Sequence, residues 1–391
     1  MAIPFTYTLR SLFTRKLTVA LTILGIALVV FVFAAVLMLA YGVEKTLKST
    51  GYTENVIALR KGSENELTSG VDRDLANTLL ALPHIAKDPA TGRPVATKEV
   101  VTIINLLKFS SNDMGNVTVR GVNQEAMLMR PVVKVVDGKM FSEGSHEVIV
   151  GRNIQKRFQG AQLGQSIKIS GDSWTIVGVF ESGGTGFESE IWGDVELVMG
   201  SLNRLGAFSS VTMRLQDNNA FEDFKATLET DNRLQTLKVE REQEYYDRQS
   251  RFMAIFIRIL GLVITIGFSA GAVIGAMITM YAAVANRTVE IGTLRALGFR
   301  RRSIMFAFLM ESVLLATIGG VMGLVIASGL QFFTISTMNF GTFVELAFNF
   351  SLSPEISIYS LLFSLAMGLV GGFLPAARAA RLDILSALRA S

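Results

Sequence analysis

The chain has 391 residues, of which 50% are hydrophobic and 18% charged, and its formal net charge is +4. Its mean hydropathy of +0.42 is more apolar surface than a soluble protein of this length can hide, so part of the chain faces lipid. The absence of cysteine excludes a disulfide, a thiolate metal site and a cysteine nucleophile, and the basic residues cluster beside apolar runs, so no nucleic-acid partner is expected.

Residues 1–16 form a short basic segment, amphipathic and cytoplasmic in expectation, with Arg10, Arg15 and Lys16. The first predicted span, 17–43, is uncharged from Leu17 to Tyr41, long enough for the about 20 apolar residues a crossing helix needs. It is too long for the apolar core of a cleaved signal and reads as an anchor. Residues 44–250 contain no comparable run and read as a large α/β extracytoplasmic domain. Alternating segments predict strands over 55–59, 100–107, 116–122, 147–150, 166–169, 174–180 and 210–215, with helices over 72–82 and 220–229. Strand–helix–strand patterns at both ends bracket a mostly β middle, which predicts one subdomain built from both ends and a second, β-rich one inserted into it. The flanks, 42–50 and 240–257, continue the neighbouring spans as polar or amphipathic helix and predict a stalk.

The stalk end and second span are expected over 251–285, a loop over 286–303, the third span over 304–338, a short outer loop over 339–355, the fourth span over 356–377 and a tail over 378–391. The fold class is therefore an α-helical membrane protein with four transmembrane helices and an α/β domain inserted between the first two. Positive charge orients it. The 286–303 loop carries Arg287, Arg295, Arg300, Arg301 and Arg302 against Glu290, and the tail carries Arg378, Arg381 and Arg389. The segment between spans three and four has Glu345 and Glu355 and no Lys or Arg. Both termini and the 286–303 loop are thus expected in the cytoplasm.

Small residues recur every fourth position at Gly267, Gly271 and Gly275, at Gly319 and Gly323, and at Gly368 and Gly372. Such stripes let helices approach closely in lipid, either within one subunit or between two. The spans hold no series of ionisable groups of the kind a proton relay or secondary transporter uses. Glu311 is the one candidate, and its position about two turns from Arg301 and Arg302 predicts that it snorkels toward them.

No catalytic constellation stands out. His84 and His146 are the only histidines, too few for a multi-histidine metal site, and the pair His146–Glu147 lacks the second histidine of a metalloprotease helix. The run SGGTG at 182–186 is followed by no lysine to hold a phosphate and reads as a hairpin tip. A G-x-x-x-x-G-K-[ST] loop is absent from the 391 residues. The expectation is a non-catalytic protein without metal or cofactor.

The 286–303 loop reads NRTVEIGTLRALGFRRRS. Ile291, Leu294 and Gly298 share one side at helical spacing, Leu297 adjoins them, and Arg287 can pair with Glu290 at i, i+3. Gly298 suits the left-handed residue that ends a helix. The segment predicts a helix of two to three turns at the membrane surface, serving either as a basic anchor for acidic headgroups or as a docking element for a cytoplasmic partner. Its apolar side lacks the bulky side chains of a lipid anchor, which favours docking.

VEIGTLRALGF at 289–299, FLMES at 308–312 and GGVMG at 319–323 resemble the permease domain of the FtsX/MacB superfamily, the type VII ABC membrane subunits. GFLPAARAARLDILSALR at 372–389 is similar to its closing motif, with Ile384 where a proline is usual, and LRSLFTRK at 9–16 with LTILGIA at 21–27 to its opening. VRGVN at 119–123, GKMF at 138–141, LGQSIKI at 163–169 and WTIVGVF at 174–180 resemble the MacB-type periplasmic core. The resemblance implies a multi-pass subunit of the bacterial inner membrane that pairs with a second permease copy or paralogue. It implies docking on a separate ABC ATPase dimer through a coupling helix near 287–298, with Glu290, Ile291, Leu294 and Arg295 nearest the ATPase. ATP hydrolysis by the partner would then move the outer domain for export, extraction or efflux, with no substrate path through the bilayer. The alternative it carries is an ATP-switched anchor regulating a periplasmic cell-wall hydrolase. A periplasmic adaptor or a lipoprotein is a further partner it implies.

Overall fold

A computed structural model describes residues 16–109, 111–204, 206–338 and 344–384. The expectations for Arg10, Arg15 and Arg389, residues 9–15 of the opening motif and the end of the closing motif lie outside the described residues. The helices are α1 (Lys16–Lys48), α2 (Arg73–Leu80), α3 (Glu125–Met129), α4 (Arg152–Arg157), α5 (Val195–Ser201), α6 (Phe221–Thr230), α7 (Glu242–Ala285), α8 (Thr288–Ala296), α9 (Arg301–Ser328) and α10 (Pro354–Arg381). The first strands are β1 (Asn55–Arg60), β2 (Val71–Asp72), β3 (Ala96–Leu107), β4 (Met114–Val122), β5 (Lys134–Gly138), β6 (Glu147–Gly151) and β7 (Ser166–Ile169). They are followed by β8 (Asp172–Glu181), β9 (Glu190–Asp194), β10 (Ala207–Phe208), β11 (Ser210–Arg214), β12 (Leu237–Arg241), β13 (Thr334–Met338) and β14 (Glu345–Asn349). The chain divides into a helical unit of residues 1–41, 255–333 and 349–391 and an α/β unit of residues 42–254 and 334–348.

In the helical unit, α1, α7, α9 with its 3-10 extension to Phe332, and α10 are long and apolar enough to cross a membrane. Their inward faces interlock through small and aliphatic side chains: Ile26, Val29 and Val30 pack with Ala316 and Met367, and Ala34 and Met38 with Ala327 and Ile356. Leu262, Val263 and Ile266 of α7 stay exposed, as lipid-facing residues do. Ser353 caps α10 by accepting from the Ile356 N–H at 3.2 Å, and Pro354 sits in its first turn, where the missing N–H costs nothing.

The predicted third span of 304–338 needs correction. Helix α9 ends at Ser328, and Thr334–Met338 is a strand paired with β14. The stretch 329–338 carries no charge, so hydropathy runs on where the helix stops. The β-branched residues Thr334, Ile335 and Thr337 favour the extended backbone. The expected short loop 339–355 accordingly contains one strand of a two-stranded sheet.

The α/β unit is built on a ten-stranded sheet in the order β12-β1-β11-β3-β4-β9-β6-β8-β5, with β7 also on β8. Strand β3 joins its two halves: residues from Ala96 to Glu99 pair with β11, and residues from Val100 to Leu107 pair with β4. Most pairs are antiparallel, but β4–β9 and β6–β8 are parallel. The β6–β8 crossover runs through α4 and β7 and returns to β6 on a neighbouring strand, as a parallel pair requires. The run 182–186 is no hairpin tip, because β6 lies between β8 and β9. Instead, Gly183 and Gly184 take positive φ, and Glu188 accepts from the Ser182 and Gly184 N–H groups at 2.8 Å each. Helix α6 buries Phe221, Phe224 and Leu228 at the i, i+3, i+7 spacing of one helical face. The core continues through Val56, Ala58, Val100, Val119, Trp174 and Ile191.

Candidate functional site

The helical unit holds the predicted docking segment. Helix α8 ends at Gly298, which has φ +93°, with the Phe299 N–H donating to the Leu294 carbonyl at 3.1 Å and the Gly298 N–H to Arg295 at 3.1 Å. Only glycine enters that left-handed conformation without strain, so the helix stops there. The side chains of α8 divide between two faces. Ile291 is 1% exposed and packs with Met280, Val284, Phe308 and Ala376. Leu294 and Arg295 are half-buried, whereas Glu290, Gly298 and Leu297, the last at 68%, are exposed together with Val289.

Arg287 is buried at the head of α8. Its Nε donates to Glu290 Oε2 at 2.9 Å and its Nη1 to Glu311 Oε2 at 3.2 Å, and the guanidinium lies over the Phe308 ring at 5.2 Å. Glu311 therefore pairs with Arg287 and not with Arg301 or Arg302. The sequence separation of 24 residues hid this partner, because the helix turn between α7 and α8 folds Arg287 back onto α9. A charge placed on α8 is thus tied to a crossing helix through a buried ion pair.

The glycine stripes fall into two sets. A Cβ on Gly319 would meet the Ile23 carbonyl oxygen at 2.9 Å, and one on Gly323 would collide with the Ala27 carbonyl oxygen and approach the Phe31 nitrogen to 3.1 Å, so both seat α9 on α1. Cβ atoms on Gly368 and Gly372 would collide with Ala316 and Ser312, which seats α10 on α9. Gly267, Gly271 and Gly275 face open space within this chain. We predict that Gly323→Leu abolishes assembly of the helical unit, because backbone and not a movable side chain blocks the new atoms. Gly271→Leu will leave the monomer's melting temperature within about 2 °C, the range of a surface change in a chain of this size. Thermal unfolding of the detergent-solubilised protein reads both.

The α/β unit contains a charge cluster that the strand pattern did not single out. Arg120 on β4 is 2% exposed and contacts three carboxylates: Glu66 at 2.7 Å, Glu99 at 2.5 Å and Glu190 at 2.8 Å. Arg130 reaches Glu99 at 2.8 Å and Glu242, the first residue of α7, at 3.1 Å, while stacking over Phe187 at 4.5 Å. Glu242 also accepts from Asn55 Nδ2 at 2.9 Å and the Tyr52 N–H at 3.1 Å. Trp192 Nε1 donates to Glu190 at 2.8 Å and Ser210 to Glu66 at 2.7 Å. The cluster ties the first turn of α7 to β1, β3, β4, β9 and β11, on both halves of the sheet. A cavity of about 70 Å³ beside it, lined by Thr50, Glu66, Arg120, Tyr245 and Tyr246 among others, is large enough for water and too small for a sizeable cargo. The signal in the sequence was Glu99 and Arg120, each a charge beside a valine, Val100 and Val119, in a strand whose neighbouring residues are largely buried.

The β13–β14 pair is anchored in the same unit. Glu345 is paired with Lys108 and, at 3.0 Å, with Arg157, which also donates to Ser336. The Ala347 N–H donates to Ser189 at 3.2 Å. Among the described residues no group of His, Asp and Glu is arranged to hold a metal ion.

Residues 19–231 match the MacB-like periplasmic core domain, and residues 252–384 match the FtsX-like permease C-terminal region. The macrolide export ATP-binding/permease protein MacB of Wolinella succinogenes is 28% identical over 97% of this chain, which spans 59% of that protein. The ABC transporter permease YknZ of Bacillus subtilis is 27% identical, over 97% of both chains. The crystal structure of the extracellular domain of YknZ from Gram-positive bacteria superposes with a TM-score of 0.36 at 16% identity, covering 48% of this chain and 99% of that one. The chain thus belongs to the MacB/FtsX family of ABC transporter permeases, and it is a membrane protein with a MacB-type α/β domain.

Proposed function

We propose that this permease is the non-catalytic membrane subunit of an export system, and that it turns ATP hydrolysis by a separate ATPase into motion of its α/β domain on the far side of the membrane. The reading sets both termini and α8 on the cytoplasmic side and the domain of residues 44–250 outside, following the arginines of 286–303. The ATPase docks on α8 through Val289, Glu290, Thr293 and Leu297, which are exposed, while Ile291 and Arg287 bind the segment to its own bundle. Leu294 and Arg295 border that surface.

The observation that carries the reading is the buried Arg287–Glu311 pair. A push on α8 is passed to α9 by that pair, and from α9 to α1 and α10 by the glycine contacts. In the α/β unit, Glu242 opens α7 and is locked to Arg130, so a shift of the first turn of α7 must move β3 and β4. The absence of an ionisable series inside the described spans fits work done without a path through the bilayer. Pairing with a second permease copy supplies the symmetric partner that an ATPase dimer needs, and the open Gly267–Gly271–Gly275 face of α7 suits it. The names of the relatives support export.

The test is co-purification with the ATPase and measurement of its hydrolysis rate. Leu297→Asp places a charge in the proposed interface without touching the bundle, and we expect it to weaken association by about thirtyfold or more, the scale of a central interface residue. Full association of that variant at wild-type stability would overturn the docking assignment.

A further inference from the structure

At the end of the bundle that carries α8, a groove of about 550 Å³ runs between the start of α9 and the end of α10. Arg301, Arg302, Arg378 and Arg381 line it, together with Met305, Phe373 and Leu374. The lining contains no acidic residue, and among the described residues no carboxylate pairs with any of these four arginines. Arg378 is steadied by the Tyr281 ring at 5.6 Å. Four positive charges therefore line one groove that has no acidic residue in its lining, an arrangement that a bound anion would relieve.

The walls specify the anion further. Phe373 and Leu374 are 53% and 52% exposed on the flank of α10, continuous with a helix apolar enough to lie in hydrocarbon. A groove with guanidinium forks at its rim and aromatic and aliphatic side chains below matches a molecule with phosphate at one end and acyl chains at the other. Guanidinium groups bind phosphate oxygens in pairs, and the N-terminal end of α9 adds the positive end of its dipole. An acidic protein surface would satisfy the arginines but would leave the apolar wall in contact with polar residues.

We propose that this groove is a binding site for an anionic phospholipid, whose phosphodiester sits among Arg301, Arg302, Arg378 and Arg381 and whose acyl chains cover Phe373 and Leu374. The site joins the start of α9 to the end of α10 and fixes the helix from which α8 is suspended. It requires only that this end of the bundle lie at a headgroup layer, and so stands independently of the ATPase reading.

The test uses the full-length protein in nanodiscs of phosphatidylcholine containing a minor fraction of phosphatidylglycerol, with the lipid retained on gentle detergent extraction counted by native mass spectrometry. Wild type should retain phosphatidylglycerol in preference to phosphatidylcholine, with the preference falling as salt is raised. Arg302→Gln and Arg381→Gln should each lower that preference on the order of fivefold. Arg302→Lys, which keeps the charge and the fold, should lower it less. Equal retention of the two lipids by wild type would overturn the proposal. So would an unchanged preference in the Arg302→Gln/Arg381→Gln protein, or competition by glycerol phosphate as effective as by the lipid, which would mark a simple phosphate site. Loss of ATPase association with no change in lipid retention would assign the arginines to a protein partner and also overturn it.

Discussion

Arg120→Met will destabilise the α/β unit by about 3–5 kcal/mol, because it strands buried carboxylates without their shared cation. Glu66 and Glu190 lose their guanidinium, and Glu99 keeps only Arg130, which must also serve Glu242. The two tryptophans of the chain, Trp174 and Trp192, are both fully buried in this unit, so their fluorescence during denaturant unfolding of the solubilised protein reads the loss. Arg120→Lys should fall between, since an ammonium keeps the charge but cannot make the five-donor fork that reaches three carboxylates. A midpoint unchanged from wild type in Arg120→Met would show that the cluster contributes nothing.

The same cluster predicts a pH dependence. Burial raises the Glu66 carboxyl, but the Arg120 guanidinium and the hydrogen bonds from Arg120 and Ser210 outweigh it and hold the group below its ordinary value of 4.5. A carboxylate lowered on folding stabilises the folded state above its unfolded pKa, and that contribution disappears as pH falls through the folded one. Glu147, lowered to about 2 by Lys139 and the Ser142 N–H, acts in the same direction. Stability of the unit should therefore decline as pH falls from 4.5 toward 2, with a shallower decline in Arg120→Met. Equal slopes in the two proteins would argue against Glu66 as a source.

The second large effect is expected at Arg287. Arg287→Met leaves the Glu311 carboxylate buried in the bundle without that guanidinium, a loss of about 3–5 kcal/mol that falls on the attachment of α8 to α9. We expect the ATPase to bind more weakly and its hydrolysis to lose dependence on the permease. Arg287→Met combined with Glu311→Leu removes both charges, and replacing a buried pair by apolar residues is near neutral. The double variant should regain stability over the single one, so the cycle isolates the pair. If it regains stability but not coupling, the pair transmits motion. If it regains both, the pair only holds the helix in place. Additive effects of the two changes would refute the interaction itself.

Much of this protein could be read from residue order alone. Lipid demands long uncharged helices, and such runs cannot be disguised, so the four apolar helices and the α/β character of the region after the first were legible from hydropathy and alternation. Gly298 announced the end of α8 because its required backbone conformation is local. Contacts between distant residues had no such signal. The Arg287–Glu311 pair, the docking of Glu345 on Lys108 and Arg157, and the six-residue charge cluster each join positions that sequence spacing does not relate. The strand Thr334–Met338 was hidden for a related reason: an uncharged segment reads the same to a hydropathy scale whether it lies in hydrocarbon or pairs with another strand, and only its partner strand decides. The division of α8 into an inward Ile291 and an outward Leu297 likewise follows from which side of a short helix meets the bundle, a matter of tertiary packing that periodicity leaves open.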